Sequence, residues 1–87
     1  MFELEFDEDW DYWFSKAPQK LQKRFINRRE KYENYPIFEH AMHGKPYFKD
    51  KIEKQYRVLF VSDEKKKIRR FYFIGDHKQY EKWLNSH

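Results

Sequence analysis

A chain of 87 residues is long enough for one domain around one core and too short to enclose a large cofactor. It has no cysteine, which excludes disulfides and thiolate metal sites; no apolar run nears the roughly 20 residues of a membrane span, and no signal-peptide pattern opens the chain, so the cytoplasm is the expected location. The formal charge of +4 is uneven: residues 1–14 hold six acids and no base, leaving a net of +10 in residues 15–87, a balance that suits a polyanion or an acidic protein partner as well as a merely soluble surface.

Phe2-Glu3-Leu4-Glu5-Phe6 alternates with the period of a half-buried strand, Phe2, Leu4 and Phe6 falling on one side. Asp7 or Asp9 is placed to cap a short helix in which Trp10, Trp13 and Phe14 recur at i, i+3 and i+4. Pro18 opens a second, longer helix that Tyr35-Pro36 ends, with Leu21, Phe25 and Tyr32 on its apolar face and Ile26 beside them. Lys20, Lys23, Arg24, Arg28 and Lys31 occupy the rest of that helix, a pattern satisfied by a phosphate-tracking surface or by an ordinary solvated face. Residues 36–46 read as an irregular connection; His40-x-x-His43 lacks the cysteine or acidic pair of a metal site and reads as loop surface.

Residues 47–52 form the next expected strand, joined by Glu53-Lys54-Gln55 to an antiparallel strand over 56–61. A charged turn at 62–67 leads into a third strand over 68–74, and the β-branched and aromatic content of both flanks marks a hairpin. Gly75 is expected to break that strand. Asp76 follows as a helix cap, with Gln79 completing a capping box, and Tyr80, Trp83 and Leu84 give the last helix a face that docks on the sheet. His77 and Tyr80 then stand at a strand-to-helix junction facing Arg57. The sum is an α+β domain spanning residues 1–87, ordered β-α-α-β-β-β-α, with a small antiparallel-dominated twisted sheet and two helices packed on one face.

This order, with Tyr56-Arg57-Val58-Leu59-Phe60 followed by Gly75-Asp76-His77-Lys78-Gln79-Tyr80, resembles the RelE/ParE superfamily of toxin–antitoxin toxins, and among them the RelE-like and HigB-like members. These often read tyrosine-arginine before an apolar run and, later, glycine-x-histidine-x-x-tyrosine. The resemblance implies the toxin of a type II pair: an mRNA interferase held inactive by a cognate antitoxin, in many members acting on message within the ribosome, and needing neither metal nor cofactor. In that chemistry the ribose 2′-OH attacks its own 3′-phosphate, which requires proton transfer at two oxygens and positive charge where the phosphorane charge builds.

By the same resemblance Arg57 matches a phosphate-stabilising arginine, His77 a proton-transfer position, and Tyr80 a tyrosine that stacks on a base or assists proton transfer. Lys49 and Lys51 fall where sheet lysines face RNA, and Lys54, Arg70 and Lys78 complete the expected RNA-contacting set. The spacing between the Lys49/Lys51 strand and Arg57 departs from RelE's, and a slip of one residue would turn a side chain to the other face. Asp76 reads as a structural cap. Two other functions share the scaffold: a ParE-like gyrase inhibitor that does no chemistry, and a domain that binds RNA without cutting it. The polar Gly75-Asp76-His77 junction favours the enzyme, because gyrase-directed members generally lack it.

Overall fold

The computed structural model describes all 87 residues. Its elements are β1 (Glu3–Phe6), α1 (Trp10–Lys16), α2 (Gln19–Asn27), α3 (Arg29–Asn34), β2 (Glu39–His40), β3 (Phe48–Ile52), β4 (Tyr56–Asp63), β5 (Ile68–Asp76) and α4 (His77–Ser86). One sheet runs in the order β1-β5-β4-β3-β2. β1 lies parallel to β5, and every other pairing is antiparallel. No helix is long and apolar enough to cross a membrane.

The sheet is covered unequally. On one face Leu21, Phe25, Tyr32 and Trp10 close over Ile52, Val58, Phe60, Phe71 and Ile74; on the other, α4 lays Tyr80, Trp83 and Leu84 over Leu59 and Phe73. A bulge makes this division possible. Phe73 pairs with Leu59 and Phe71 with Phe60, so Tyr72 is the extra residue on β5. Strict alternation would send Phe71 and Phe73 to the same side; the inserted residue turns them into opposite cores.

Five expectations are corrected. The helix read from Pro18 to Tyr35 is two helices, so three rather than two pack on one face. The chain turns at Arg28 (φ −94°, ψ 5°), and the turn carries α3 between two attachments: Glu33 accepts the Phe2 N–H through its carbonyl at 2.7 Å, and Asp50 of β3 collects α3 side chains. The Tyr32 hydroxyl donates to Asp50 Oδ2 at 2.8 Å, with Arg28 Nη1 at 2.9 Å and Lys31 Nζ on Oδ1 at 3.0 Å. A buried carboxylate persists when it is paired in this way. Burial, and then the charge of Asp50, pushes the Tyr32 hydroxyl far above the ordinary tyrosine range.

The second correction is β2, in the segment expected to be irregular. Phe38 packs against Tyr32 and Phe60, and the His40 ring stacks on its cross-strand partner Phe48 at 4.4 Å. Third, Gly75 does not end β5, which continues through Asp76 with Gly75 opposite Arg57. A Cβ on Gly75 would lie 2.6 Å from Gln79 Oε1 and 2.7 Å from Phe73 Cζ, so the position needs the absence of a side chain rather than special backbone angles. Fourth, Ile26 lies off the apolar face and is 60% exposed. Fifth, α1 has no side-chain cap; the Asp7 carboxylate accepts from the Asp9 N–H instead.

Candidate active site

The alternation of β3 decides which face holds the cations. Phe48, Asp50 and Ile52 turn toward the helical layer, so Lys49 and Lys51 turn the other way, and Lys51 stands directly across from Arg57. Arg57, on the central strand, has no side chain opposite it on β5, where Gly75 is its partner.

The Arg57 side chain is 9% exposed. Its Nη1 donates to the carbonyl oxygens of Lys54 and Tyr56, both at 3.1 Å, so the β3–β4 turn holds the guanidinium from one edge. That turn is itself fixed. Glu53 has a left-handed backbone (φ 55°), and its carboxylate takes Arg24 Nε at 2.6 Å and Lys20 Nζ at 3.6 Å. No carboxylate lies within 4.0 Å of Arg57, Lys51, Lys54 or Lys78, and the guanidinium charge is left uncompensated.

Tyr80 neighbours both of the other expected catalytic groups. Its ring centre is 5.9 Å from Arg57 Cζ and 5.7 Å from the His77 ring, the His77 and Tyr80 rings nearly parallel at 26°. The residue is 6% exposed, and its hydroxyl makes a long 3.4 Å bond to the Ala41 carbonyl. Burial raises that hydroxyl's pKa, with Arg57 opposing the rise. The ring thus packs against both the guanidinium and the imidazole from the buried side.

His77 starts α4, whose N-terminus carries the expected capping box: Gln79 N–H donates to Asp76 Oδ1 at 2.8 Å, and Asp76 N–H to Gln79 Oε1 at 3.0 Å. One turn on, Glu81 Oε1 lies 2.6 Å from His77 Nε2. A neutral ring that donates Nε2–H to this carboxylate carries its lone pair on Nδ1, the tautomer a general base needs. Arg57, His77, Lys54, Lys78, Gln55 and Asp76 line an open depression of about 590 Å³.

All eight residues marked in the sequence lie on this side of the sheet or at its rim, but one of them is remote from the depression. Lys49 is half-buried and reaches to within 3.9 Å of Glu39 Oε2. Arg70 shares the face but not the place: it sits beside Tyr72 and opposite Glu5 in the parallel β1–β5 pairing, with Nη1 3.5 Å from Glu5 and Nη2 3.4 Å from Asp7, at the far end of β5 from Gly75. The acidic N-terminal strip therefore neutralises Arg70 and does not overlie the depression. The cationic face of α2 and α3 is also largely neutralised, since Lys20 and Arg24 meet Glu53 while Arg28 and Lys31 meet Asp50.

The sequence reading passed over three residues. Glu81 was legible from its i+4 spacing to His77 on a helix, and Asp50 from its place between Phe48 and Ile52 on the inward face of β3. Glu53 carried no comparable signal.

A guanidinium held by carbonyls, an imidazole beside a carboxylate and two lysines without acidic partners border one depression, with Lys51 across the strand from Arg57, an arrangement whose chemistry suits an anion. No protein-family model matches the sequence, and no curated protein sequence matches it. Solved structures do. The E. coli toxin RelE in the free state, with two arginines mutated to alanine, superposes with a TM-score of 0.76 at 19% identity, covering 95% of this chain and 90% of that one. The E. coli RelBE toxin–antitoxin complex gives 0.73 at 19%, covering 87% and 96%, and YafQ from E. coli gives 0.66 at 11%, covering 92% and 98%. The chain has the RelE-like toxin fold.

Proposed function

We propose that this chain is a single-domain toxin of a type II toxin–antitoxin pair that cleaves mRNA in the cytoplasm. The observation that carries the reading is Arg57: nearly buried, held by two carbonyls, without an acidic partner, and lining an open depression beside the His77–Glu81 pair. Fold alone would serve a nuclease or a binding protein equally. The local charge arrangement favours the nuclease.

In this reading Lys51, Lys54 and Lys78 hold the RNA backbone, and Arg57 accepts the phosphate that reacts. His77 Nδ1 takes the 2′-OH proton, the 2′-oxygen bonds to phosphorus, and the P–O5′ bond breaks. The products are a 2′,3′-cyclic phosphate and a 5′-hydroxyl, the latter taking up one proton. Arg57 stabilises the charge that builds on the non-bridging oxygens. Tyr80 keeps the guanidinium and imidazole in place. Neighbours that are toxin–antitoxin complexes support a cognate antitoxin as the protein partner.

The test is expression without an antitoxin, with 5′ ends of cellular mRNA mapped for the native chain, Arg57→Ala and His77→Ala. Growth arrest with message cuts that vanish in both variants is the expected result. Arrest with DNA damage and intact message would make the chain a gyrase inhibitor, and RNA binding without arrest would leave a binding domain.

A further inference from the structure

A second uncompensated guanidinium lies on the opposite face of the sheet. Arg69 is 1% exposed, more deeply buried than Arg57, and pairs in register with Ser62, five residues along β4 from Arg57, or roughly 17 Å at strand spacing. Its Cζ lies 3.7 Å from the Phe2 ring centre, 5.1 Å from Phe38 and 5.7 Å from Phe60. Nη1 donates to the Tyr32 carbonyl at 2.8 Å and Nε to Ser62 Oγ at 3.1 Å, while Nη2 donates to no protein atom.

No carboxylate comes within 4.0 Å of this guanidinium. Burial lowers its pKa, and Glu64 opposes that shift from a distance. A charge kept from water without a counter-ion is among the most unfavourable groups a core can hold. The protein gives Arg69 an aromatic sheath and two neutral acceptors and leaves one edge of the fork unused. Arg69 also lines a cleft of about 210 Å³ walled by Pro36, Ile37, Phe38, Phe48 and Phe60, with Ser62 and Glu64 completing its lining. An apolar cavity of about 150 Å³ accommodates benzene, so the space suits an apolar group the size of an aromatic ring.

We propose that this cleft binds an organic carboxylate with an apolar body, its oxygens on Arg69 Nη2 and its body among Phe38, Phe48 and Phe60. Charge selects the head group, since a guanidinium fork pairs with a carboxylate better than with any neutral acceptor. The walls select the body. Glu64, whose carboxylate accepts from Ser62 Oγ at 2.6 Å, is the negative group that lines the cleft, and it opposes the incoming anion. The ligand is either a free acid or the carboxyl end of a partner chain; both present the same chemistry. The site is independent of the RNA-cleavage reading, because it shares no residue with the Arg57 depression.

The test is a titration of the full chain followed by amide and aromatic NMR shifts, with phenylacetate, phenylacetamide, N-acetylphenylalanine and inorganic phosphate as probes. Phenylacetate is expected to give saturable shifts at Phe38, Phe48, Phe60 and Ser62, phenylacetamide to bind at least tenfold more weakly, and phosphate to leave those residues unmoved. A lower Kd for N-acetylphenylalanine than for phenylacetate assigns the site to a chain end, and a higher one to a free acid. Arg69→Met abolishes the shifts. Because that variant removes a buried group and can unfold the chain, Glu64→Gln is the deciding substitution: it leaves the fold intact and tightens phenylacetate by about two- to fivefold, the range for an exposed charge interaction. Equal binding of the acid and its amide, no tightening in Glu64→Gln, or shifts confined to the Arg57 depression would overturn the proposal.

Discussion

Replacing Gly75 with alanine separates two explanations of that residue by the sign of the result. If glycine were there to end β5, its backbone angles being compatible with any residue, alanine would stabilise the chain by roughly 0.4–1 kcal/mol through the unfolded state. The packing around Gly75 argues the reverse. The added Cβ meets Gln79 Oε1 at 2.6 Å and Phe73 Cζ at 2.7 Å, with Cε1 at 3.3 Å. Moving Gln79 breaks its bond from the Asp76 N–H, half of the capping box, at about 1 kcal/mol. Moving the fully buried Phe73 ring is an overpacking strain of about 1–3 kcal/mol. Less the alanine gain, the net loss is about 1–3 kcal/mol, a fall in Tm of roughly 5–15 °C for a chain of this size. Calorimetry or thermal denaturation followed by tryptophan fluorescence measures it directly. The same displacement shifts the start of α4, so His77 and Lys78 move relative to Arg57, and the proposed RNA cleavage falls further than the loss of folded protein accounts for. A Tm equal to or above that of the native chain would refute the reasoning.

Further substitutions test the other charge arrangements. Asp50→Ala orphans the buried Tyr32 hydroxyl and frees Arg28 and Lys31, whose side chains are a third exposed and recover some hydration; the expected loss is about 3 kcal/mol in urea denaturation, and a loss below about 1 kcal/mol would mean the network is not what fixes α3. Tyr32 has a folded pKa raised above the unfolded value of roughly 10, so its contribution is intact below that pH and declines as pH rises above it. Denaturation between pH 9 and 11 should show this decline reduced in Tyr32→Phe but not abolished, since burial raises Tyr47 and Tyr80 in the same direction; an unchanged slope would contradict it. Binding of a 2′-O-methyl oligonucleotide should weaken with salt, and Lys54→Ala or Lys78→Ala should each reduce the log–log slope by about 0.7, while Arg70→Ala, already neutralised by Glu5 and Asp7, should leave it unchanged.

What was legible in the sequence was whatever a single element decides. The strands of the 56–76 hairpin, the Asp76 capping box and the inward face of α4 follow from local period and cap chemistry, and they brought Arg57, His77 and Tyr80 together as expected. What failed depended on partners distant in the chain. The break at Arg28 answers to Asp50 and Phe2, the bulge at Tyr72 to cores on two faces, and the neutralisation of Arg70 to a parallel pairing with the N-terminal strand. Gly75 was misread because a glycine in a strand pattern signals either a break or a close approach, and only the positions of Phe73 and Gln79 distinguish them.

The treatment of charge within this one small fold is what points to ligands. Asp50, equally buried, draws three donors from two helical turns, and Glu53 at an exposed turn draws two cations from α2, so the chain has both the residues and the geometry to neutralise charge where stability requires it. Arg57 and Arg69 receive carbonyls and a hydroxyl, with no carboxylate in contact. Each borders a cavity, one wide and lined by charged and polar residues, the other smaller and walled mostly by apolar ones. A cation held in place by neutral acceptors is fixed in position while its charge remains available, which a salt bridge would cancel. That is the condition for binding an anion, and the surroundings decide which: lysines and an imidazole around Arg57 suit a phosphodiester, and phenylalanines around Arg69 suit an apolar acid.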